Sequence, residues 1–199
     1  MSVVVIKLGV GNTASILFAF GRLGVRARLS DDRREIEDAE RLVLPGVGAA
    51  GHAMRRLEQM GLDGVLGAFR RPLLGICLGQ QLLYEASEEE DGAAGLGLLP
   101  GLVTALPRSA ELPVPHMGWS PLSLERDHAL LEGVRSDAYV YFVHSYACPL
   151  GDETIAVAAY GRRFSAMVAR DNVFGCQFHP ERSGAVGARV LRNFASLSC

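Results

Sequence analysis

The first half of the chain repeats one pattern: a short run of apolar, strand-favouring residues, a break, then a longer amphipathic stretch. Val3 to Ile6 precedes Thr13 to Leu23, Val25 to Leu29 precedes Arg33 to Asp38, and Leu42 to Leu44 precedes Ala49 to Met60. Runs apolar at nearly every position suit strands buried on both faces, and parallel strands need long crossovers, normally helical. The pattern therefore predicts an α/β fold on an open, doubly wound, mostly parallel sheet. Gly21, Gly24, Gly61 and Gly64 are read as punctuating helix ends, where the backbone favours glycine.

The second half changes character. Val114 to Leu124, Ala138 to Tyr146, Thr154 to Tyr160, Arg163 to Ala169 and Asn172 to Phe178 read as strands joined by turns such as Tyr160-Gly161-Arg162. These are expected as antiparallel additions to the same sheet, with a terminal helix from Glu181 onward covering one face. Between the halves lies the acidic run Glu85 to Asp91, broken by Ala86 and Ser87. It reads as a solvated loop, because consecutive carboxylates repel and lack a defined ligand geometry. With 199 residues, 49% of them hydrophobic, the chain suffices for one sizeable core, so a single domain over residues 1–199 is expected.

Charge narrows the partners. The 20 basic and 22 acidic residues are interspersed and leave a net charge of -2, with no cationic face for nucleic acid or a membrane surface. Small molecules and proteins are the expected partners. Cys77, Cys148, Cys176 and Cys199 show no metal-ligand spacing and read as reduced thiols. The start of the chain lacks a secretory pattern and no run approaches membrane-spanning length. A soluble cytoplasmic protein without metal or cofactor is expected.

The chemistry concentrates at Cys77. Pro72-Leu73-Leu74-Gly75-Ile76 is an apolar strand that runs straight into Cys77-Leu78-Gly79-Gln80-Gln81-Leu82-Leu83-Tyr84, which has helical periodicity. Gly75 and Gly79 flank the cysteine as G-x-C-x-G, the thiol counterpart of the nucleophile elbow. A nucleophile on so tight a turn needs neighbours without a Cβ, and the helix start beneath it favours a thiolate. For the other cysteines, packing is the better reading.

A base is supplied by Phe178-His179-Pro180-Glu181. Pro180 stiffens the link, so Glu181 can hold the tautomer of His179 while the other ring nitrogen faces Cys77. Both motifs follow predicted strands, and in such sheets chemistry gathers at the carboxyl ends of strands. Leu44-Pro45-Gly46-Val47-Gly48 offers backbone amides for a tetrahedral oxyanion from Val47 and Gly48, with the amide of Leu78 as the other expected donor. His52 and His128 read as helix or turn surface. For His116 and His144, in aromatic surroundings, a structural and a functional role are equally open.

Gly75-Ile76-Cys77-Leu78-Gly79-Gln80-Gln81 and His179-Pro180-Glu181 resemble the nucleophile and base motifs of class I glutamine amidotransferases. Gly9-Val10-Gly11-Asn12, Pro45-Gly46-Val47-Gly48, His116-Met117-Gly118-Trp119 and Tyr141-Phe142-Val143-His144-Ser145-Tyr146 narrow the resemblance to the glutaminase subunits of imidazole glycerol phosphate synthase. The resemblance implies a γ-glutamyl thioester on Cys77, release of ammonia, and hydrolysis to glutamate. It also implies a partner, a (β/α)8-barrel cyclase subunit, which uses the ammonia to make imidazole glycerol phosphate and aminoimidazole carboxamide ribotide in histidine biosynthesis.

By the same resemblance, Gly46, Gln81, Ser145 and Tyr146 fall where the family contacts glutamine, and Asn12 and Arg182 fall at the subunit interface. The chain departs from the pattern at Lys7-Leu8-Gly9, where Asp-Tyr-Gly is usual, at Ser120, where Asn is frequent, and at Arg182, where Lys is common. Competing readings are another amidotransferase subunit such as that of anthranilate synthase, a non-catalytic regulatory subunit, and a stand-alone cysteine hydrolase of γ-glutamyl peptides. The Pro-Gly-Val-Gly, His-Met-Gly-Trp and Tyr-Phe-Val-His-Ser-Tyr segments argue against the first. The intact Cys77, His179 and Glu181 argue against the second.

Overall fold

Along strand β1 (Ser2–Ile6), Val3 and Val5 enter one apolar core and Val4 and Ile6 another. Because side chains alternate along a strand, two cores on one strand require helices on both faces of the sheet. The computed structural model, which describes residues 2–9, 13–46 and 48–197, has that arrangement. After β1 come α1 (Thr13–Arg22), β2 (Arg26–Ser30), α2 (Arg33–Glu37), β3 (Leu42–Leu44), α3 (Ala50–Gln59), α4 (Asp63–Ala68), β4 (Leu73–Ile76) and α5 (Leu78–Leu82). Then follow β5 (Tyr84–Ser87), β6 (Ala93–Ala94), β7 (Leu99–Ala105), β8 (His116–Pro121), β9 (Ser123–Leu124), β10 (Tyr139–His144) and β11 (Tyr146–Ala147). The chain closes with β12 (Thr154–Tyr160), β13 (Arg162–Arg170), β14 (Val173–Cys176) and α6 (Gly184–Ser196).

The main sheet has eight strands in the order β2-β1-β3-β4-β14-β13-β12-β9. The pairs from β2 to β14 are parallel, and those from β14 to β9 are antiparallel. Ile16 and Phe20 of α1 and Val190, Leu191 and Phe194 of α6 seal one face. Ile36 of α2, Leu57 of α3, Leu66 of α4 and Leu82 of α5 seal the other.

The second half departs from the sequence reading in its pairings. β12 and β13, with the short β9, are the antiparallel additions, whereas β14 returns parallel to β4. The segments 114–124 and 138–146 each break: β8 and β10 form a separate antiparallel ribbon, and β11 joins β7 in a four-stranded sheet with β5 and β6. Strand character is local, but partner choice is set by distant packing. Gly21 and Gly64 lie inside α1 and α4, and the left-handed positions after the helices are Gly24 (φ 72°) and Gly61 (φ 64°).

The acidic run is also more than a solvated loop. Tyr84–Ser87 is a strand, and three carboxylates accept backbone amides: Glu85 from Gly101 (2.8 Å), Glu88 from Ala105 (3.1 Å) and Glu89 from Ala50 (2.7 Å). The last satisfies an amide in the first turn of α3, just after the Pro45-Gly46 loop. Individual donors offset the repulsion on which the loop reading rested.

Glycine is needed where α5 meets the strand ends. A Cβ on Gly79 would collide with the carbonyl oxygen of Leu44, and one on Gly75 would lie 2.5 Å from the carbonyl oxygen of Gly79. Both obstacles are backbone and cannot rotate away. Gly79→Ala is therefore expected to lower stability by about 3 kcal/mol, at the upper end for overpacking. Urea unfolding with an unchanged slope should report it, and an unmoved midpoint would refute the close approach.

Candidate active site

Cys77 stands between β4 and α5 with φ 56° and ψ −112°, a conformation that costs a non-glycine residue free energy and persists only where the surroundings fix it. Here its amide donates to the carbonyl of Cys176 on β14 (2.8 Å), and its carbonyl accepts from Gln80 (3.0 Å) and Gln81 (3.3 Å). Leu78 opens α5, so its amide lacks an acceptor within the helix. The loop after β3 packs directly on this turn: a Cβ on Gly46 would sit 2.8 Å from Leu78 Cβ and 2.9 Å from the Gly79 nitrogen. Gly48 has φ 94°. Val47 lies outside the described residues.

His179 arrives by register. β14 pairs with β4 so that Gly175 faces Gly75 and Cys176 faces Ile76, and the two chains leave the sheet side by side. One carries Cys77 and the other Gln177, Phe178 and His179. Pro180 then starts a 3-10 turn over Pro180–Arg182, which brings Glu181 Oε1 to 2.9 Å from His179 Nδ1. That contact leaves Nε2 as the nitrogen available to Cys77. Both side chains are largely enclosed, 12% and 5% exposed.

Burial by itself would lower the affinity of His179 for its proton. Interaction with the Cys77 side chain, then with the Glu181 carboxylate, outweighs that cost and raises its pKa from the ordinary 6.5 to about 10. The site can therefore hold an imidazolium beside a sulfur nucleophile. Cys148 and Cys176 differ: burial pushes the first up to about 12 and the second well above its ordinary value, which keeps them protonated and unreactive.

Further contacts at Cys77 have only a faint trace in the sequence. Its sulfur lies 3.6 Å from the carbonyl oxygen of Val143 and 3.8 Å from Gln177 Nε2. The amide of His179 donates to Tyr141 (2.9 Å), while Ser183 Oγ donates to the His179 carbonyl (2.7 Å) and accepts from the Tyr141 amide (3.0 Å). β10 is thus fastened to both halves of the candidate catalytic pair. Gln177 was detectable as a polar residue between Cys176 and Phe178, and it is fully buried. The carbonyls of Tyr141 and Val143 carry no sequence signal.

Of the residues read as glutamine contacts, Gln81 and Tyr146 meet directly: Gln81 Nε2 donates to the Tyr146 carbonyl (2.8 Å) and to Gln177 Oε1 (3.0 Å). Gly46 touches the elbow, and Ser145 adjoins Tyr146, its carbonyl accepting from Leu106 (2.9 Å). Arg182 is exposed, with its guanidinium 5.6 Å from the Tyr141 ring centre. Asn12, like Cys199, lies outside the described residues. His52 is exposed on α3, and His128 Nδ1 accepts from the Leu130 amide at 3.0 Å. His116 and His144 are buried against each other.

Among the described residues no cluster of histidine, cysteine and carboxylate side chains could hold a metal ion. A surface cavity of about 940 Å³, lined among others by Arg126, His128, Glu153 and Arg170, shares no residue with this site.

A raised histidine pKa stabilises the fold fully below the unfolded value of 6.5, and that contribution disappears as pH rises toward about 10. In Glu181→Gln the His179 titration is expected to move down from about 10, and the alkaline loss of stability, which still begins near the unfolded value, should be smaller and end at lower pH. Nitrogen-15 NMR of the imidazole measures the first effect, and an unmoved titration would contradict the role given to Glu181.

Comparison with known proteins agrees with this geometry. Residues 4–197 match the model of the family described as glutamine amidotransferase class-I. A relative from Streptococcus gordonii, "Imidazole glycerol phosphate synthase subunit HisH", is 51% identical over 195 residues, covering 96% of this chain and 94% of the relative. A protein of the same name from Vibrio cholerae is 45% identical over 201 residues, covering 98% of each. In structure, the chain resembles a putative GMP synthase subunit from Thermoplasma acidophilum with a TM-score of 0.75 at 21% identity, covering 98% of this chain and 92% of the other. A solved glutamine amidotransferase gives 0.74 at 21% identity, covering 98% and 99%. At such identities these two speak for the fold alone. The matched residues, the relatives' coverage and the geometry around Cys77 agree, and the chain belongs to the class-I glutamine amidotransferase family.

Proposed function

We propose that this chain is the glutaminase subunit of an imidazole glycerol phosphate synthase. The observation that carries the chemistry is the placement of Cys77 and the His179–Glu181 pair on the ends of adjacent parallel strands. The 45–51% identity to proteins named as that subunit, over nearly the whole chain, supports the particular acceptor pathway.

In this reading the Cys77 sulfur attacks the side-chain carbonyl carbon of glutamine, and negative charge builds on the carbonyl oxygen. The amide of Leu78 and those of Val47 and Gly48 receive it. The tetrahedral adduct collapses as its C–N bond breaks, with His179 giving its proton to the leaving nitrogen, so that ammonia departs and a γ-glutamyl thioester remains. Water, deprotonated by His179, attacks the thioester. The C–S bond breaks, the sulfur recovers its electron pair, and glutamate leaves. Glu181 keeps the imidazole in one orientation through both steps and steadies its positive charge. No metal or cofactor enters this scheme, and one domain over residues 1–199 suffices for it.

The ammonia is delivered to a cyclase subunit with a (β/α)8 barrel, which makes imidazole glycerol phosphate and aminoimidazole carboxamide ribotide in histidine biosynthesis, a cytoplasmic pathway. The outer side of the β8–β10 ribbon suits such a partner. Met117, Trp119 and Tyr139 are 64%, 53% and 58% exposed there, with Trp119 against Tyr141 and Arg182 above the same ring. A cluster of exposed aromatic residues with an arginine is the usual composition of an interface core.

Cys77→Ala is expected to abolish glutamine-dependent synthesis by the assembled complex while ammonia-dependent synthesis persists. Loss of both in a folded complex would contradict a dedicated glutaminase role. A diazo-ketone analogue of glutamine should label one thiol, with peptide mass mapping placing the adduct on Cys77. An adduct on the buried Cys176 would overturn the assignment.

A further inference from the structure

On the inner side of the ribbon, His116 of β8 and His144 of β10 face each other across the register and form one connected polar chain. Ser120 Oγ lies 2.9 Å from His116 Nε2, His116 Nδ1 lies 3.0 Å from His144 Nε2, and His144 Nδ1 lies 2.8 Å from the Tyr146 carbonyl. All four ring nitrogens therefore have partners. The packing around them is tight and aromatic: His116 stacks on Tyr160 and Phe142, with ring centres at 4.2 and 5.0 Å, and His144 meets the edge of Phe164 at 4.9 Å.

The direction of every bond follows from the last one. A carbonyl oxygen only accepts, so His144 Nδ1 carries a proton. Burial holds both rings neutral, lowering His144 to about 3 and His116 to about 4, so His144 Nε2 is an acceptor. His116 must then donate from Nδ1 and accept at Nε2, which makes Ser120 the donor at the outer end. Reversing any one link would leave a buried acceptor facing an acceptor, a costly defect.

The chain ends where the glutamine contacts begin. The Tyr146 carbonyl also accepts from Gln81 Nε2, Gln81 reaches Gln177, and Gln177 Nε2 lies against the Cys77 sulfur. At the other end, Ser120 follows the exposed Trp119. We propose that His116 and His144 are positioning residues, forming a one-directional hydrogen-bond chain that sets the Tyr146 carbonyl and Gln81 for glutamine and ties that setting to the outer ribbon. This rests on the reading of Gln81 and Tyr146 as glutamine contacts. Two buried imidazoles serving only packing would be replaceable by apolar rings of similar size. A positioning chain is not.

The test uses steady-state glutaminase kinetics of the complex with the cyclase subunit. His144→Leu is expected to raise the KM for glutamine about tenfold with kcat within about threefold, the pattern for a lost binding contact of one hydrogen bond. His144→Asn, whose amide replaces the Nδ1 donor, should recover most of that loss. His116→Phe keeps the stacking and removes the polarity, so it should raise KM as well, and it decides the matter if His144→Leu fails to fold. In the unaltered protein, nitrogen-15 NMR should find both histidines neutral and protonated on Nδ1. Unchanged KM in the folded variants, or a proton on His144 Nε2, would overturn the proposal. Gln81→Leu separates the proposal from the reading beneath it. If it raises KM while the histidine variants do not, the chain alone is wrong. If it leaves KM unchanged, the glutamine-contact reading fails and the proposal with it.

Discussion

The backbone hydrogen bond from Cys77 to Cys176, with the parallel register of β14 on β4 behind it, is the constraint on which the site depends. It holds Cys77 in a backbone conformation that the residue would not keep alone, and it delivers His179 from the neighbouring strand to the same edge of the sheet. Gly75 and Gly79 belong to the same constraint, since a side chain on either would force α5 away from the strand ends. Shifting β14 by one residue would turn its side chains to the opposite faces. Nucleophile and base would then face opposite sides of the sheet.

A second layer of control comes from the ribbon. β10 is hydrogen bonded through Tyr141 and Val143 to His179 and Cys77, its inner His144 reaches the Tyr146 carbonyl that Gln81 also contacts, and its outer face carries the exposed Tyr139. One short strand thus touches the nucleophile, the base, the candidate substrate contacts and the candidate partner surface. Because packed interiors shift between discrete arrangements instead of bending smoothly, pressure on such a strand is transmitted to all of these at once. The site is also closed: Cys77 is only 6% exposed.

Much of this was readable from the residues because it is local. The G-x-C-x-G elbow, the strand before it and the helix after it occupy one continuous segment, and Pro180 fixes the spacing of His179 and Glu181 within three residues. The alternation of the first half pointed to the doubly wound sheet for the same reason, each strand and helix carrying its own period. What was not readable is pairing. Nothing in 172–178 says that this strand runs parallel to 73–76, and nothing in 114–124 or 138–146 says that each divides between two sheets. Those choices are made by contacts far apart in sequence. The carbonyls of Tyr141 and Val143 were hidden because every residue has one, and Gln177 because one buried amide is a weak signal without its neighbours.

In the proposed function, Cys77, His179 and Glu181 form a glutaminase centre whose setting is completed by a partner acting through the ribbon. The most direct measurement is glutamine hydrolysis by the isolated chain, by the chain with a cyclase subunit, and by that complex with the cyclase's nucleotide ligand. Little turnover is expected from the chain alone, and a marked rise when partner and ligand are both present. Full turnover by the isolated chain, unchanged on adding either, would contradict it.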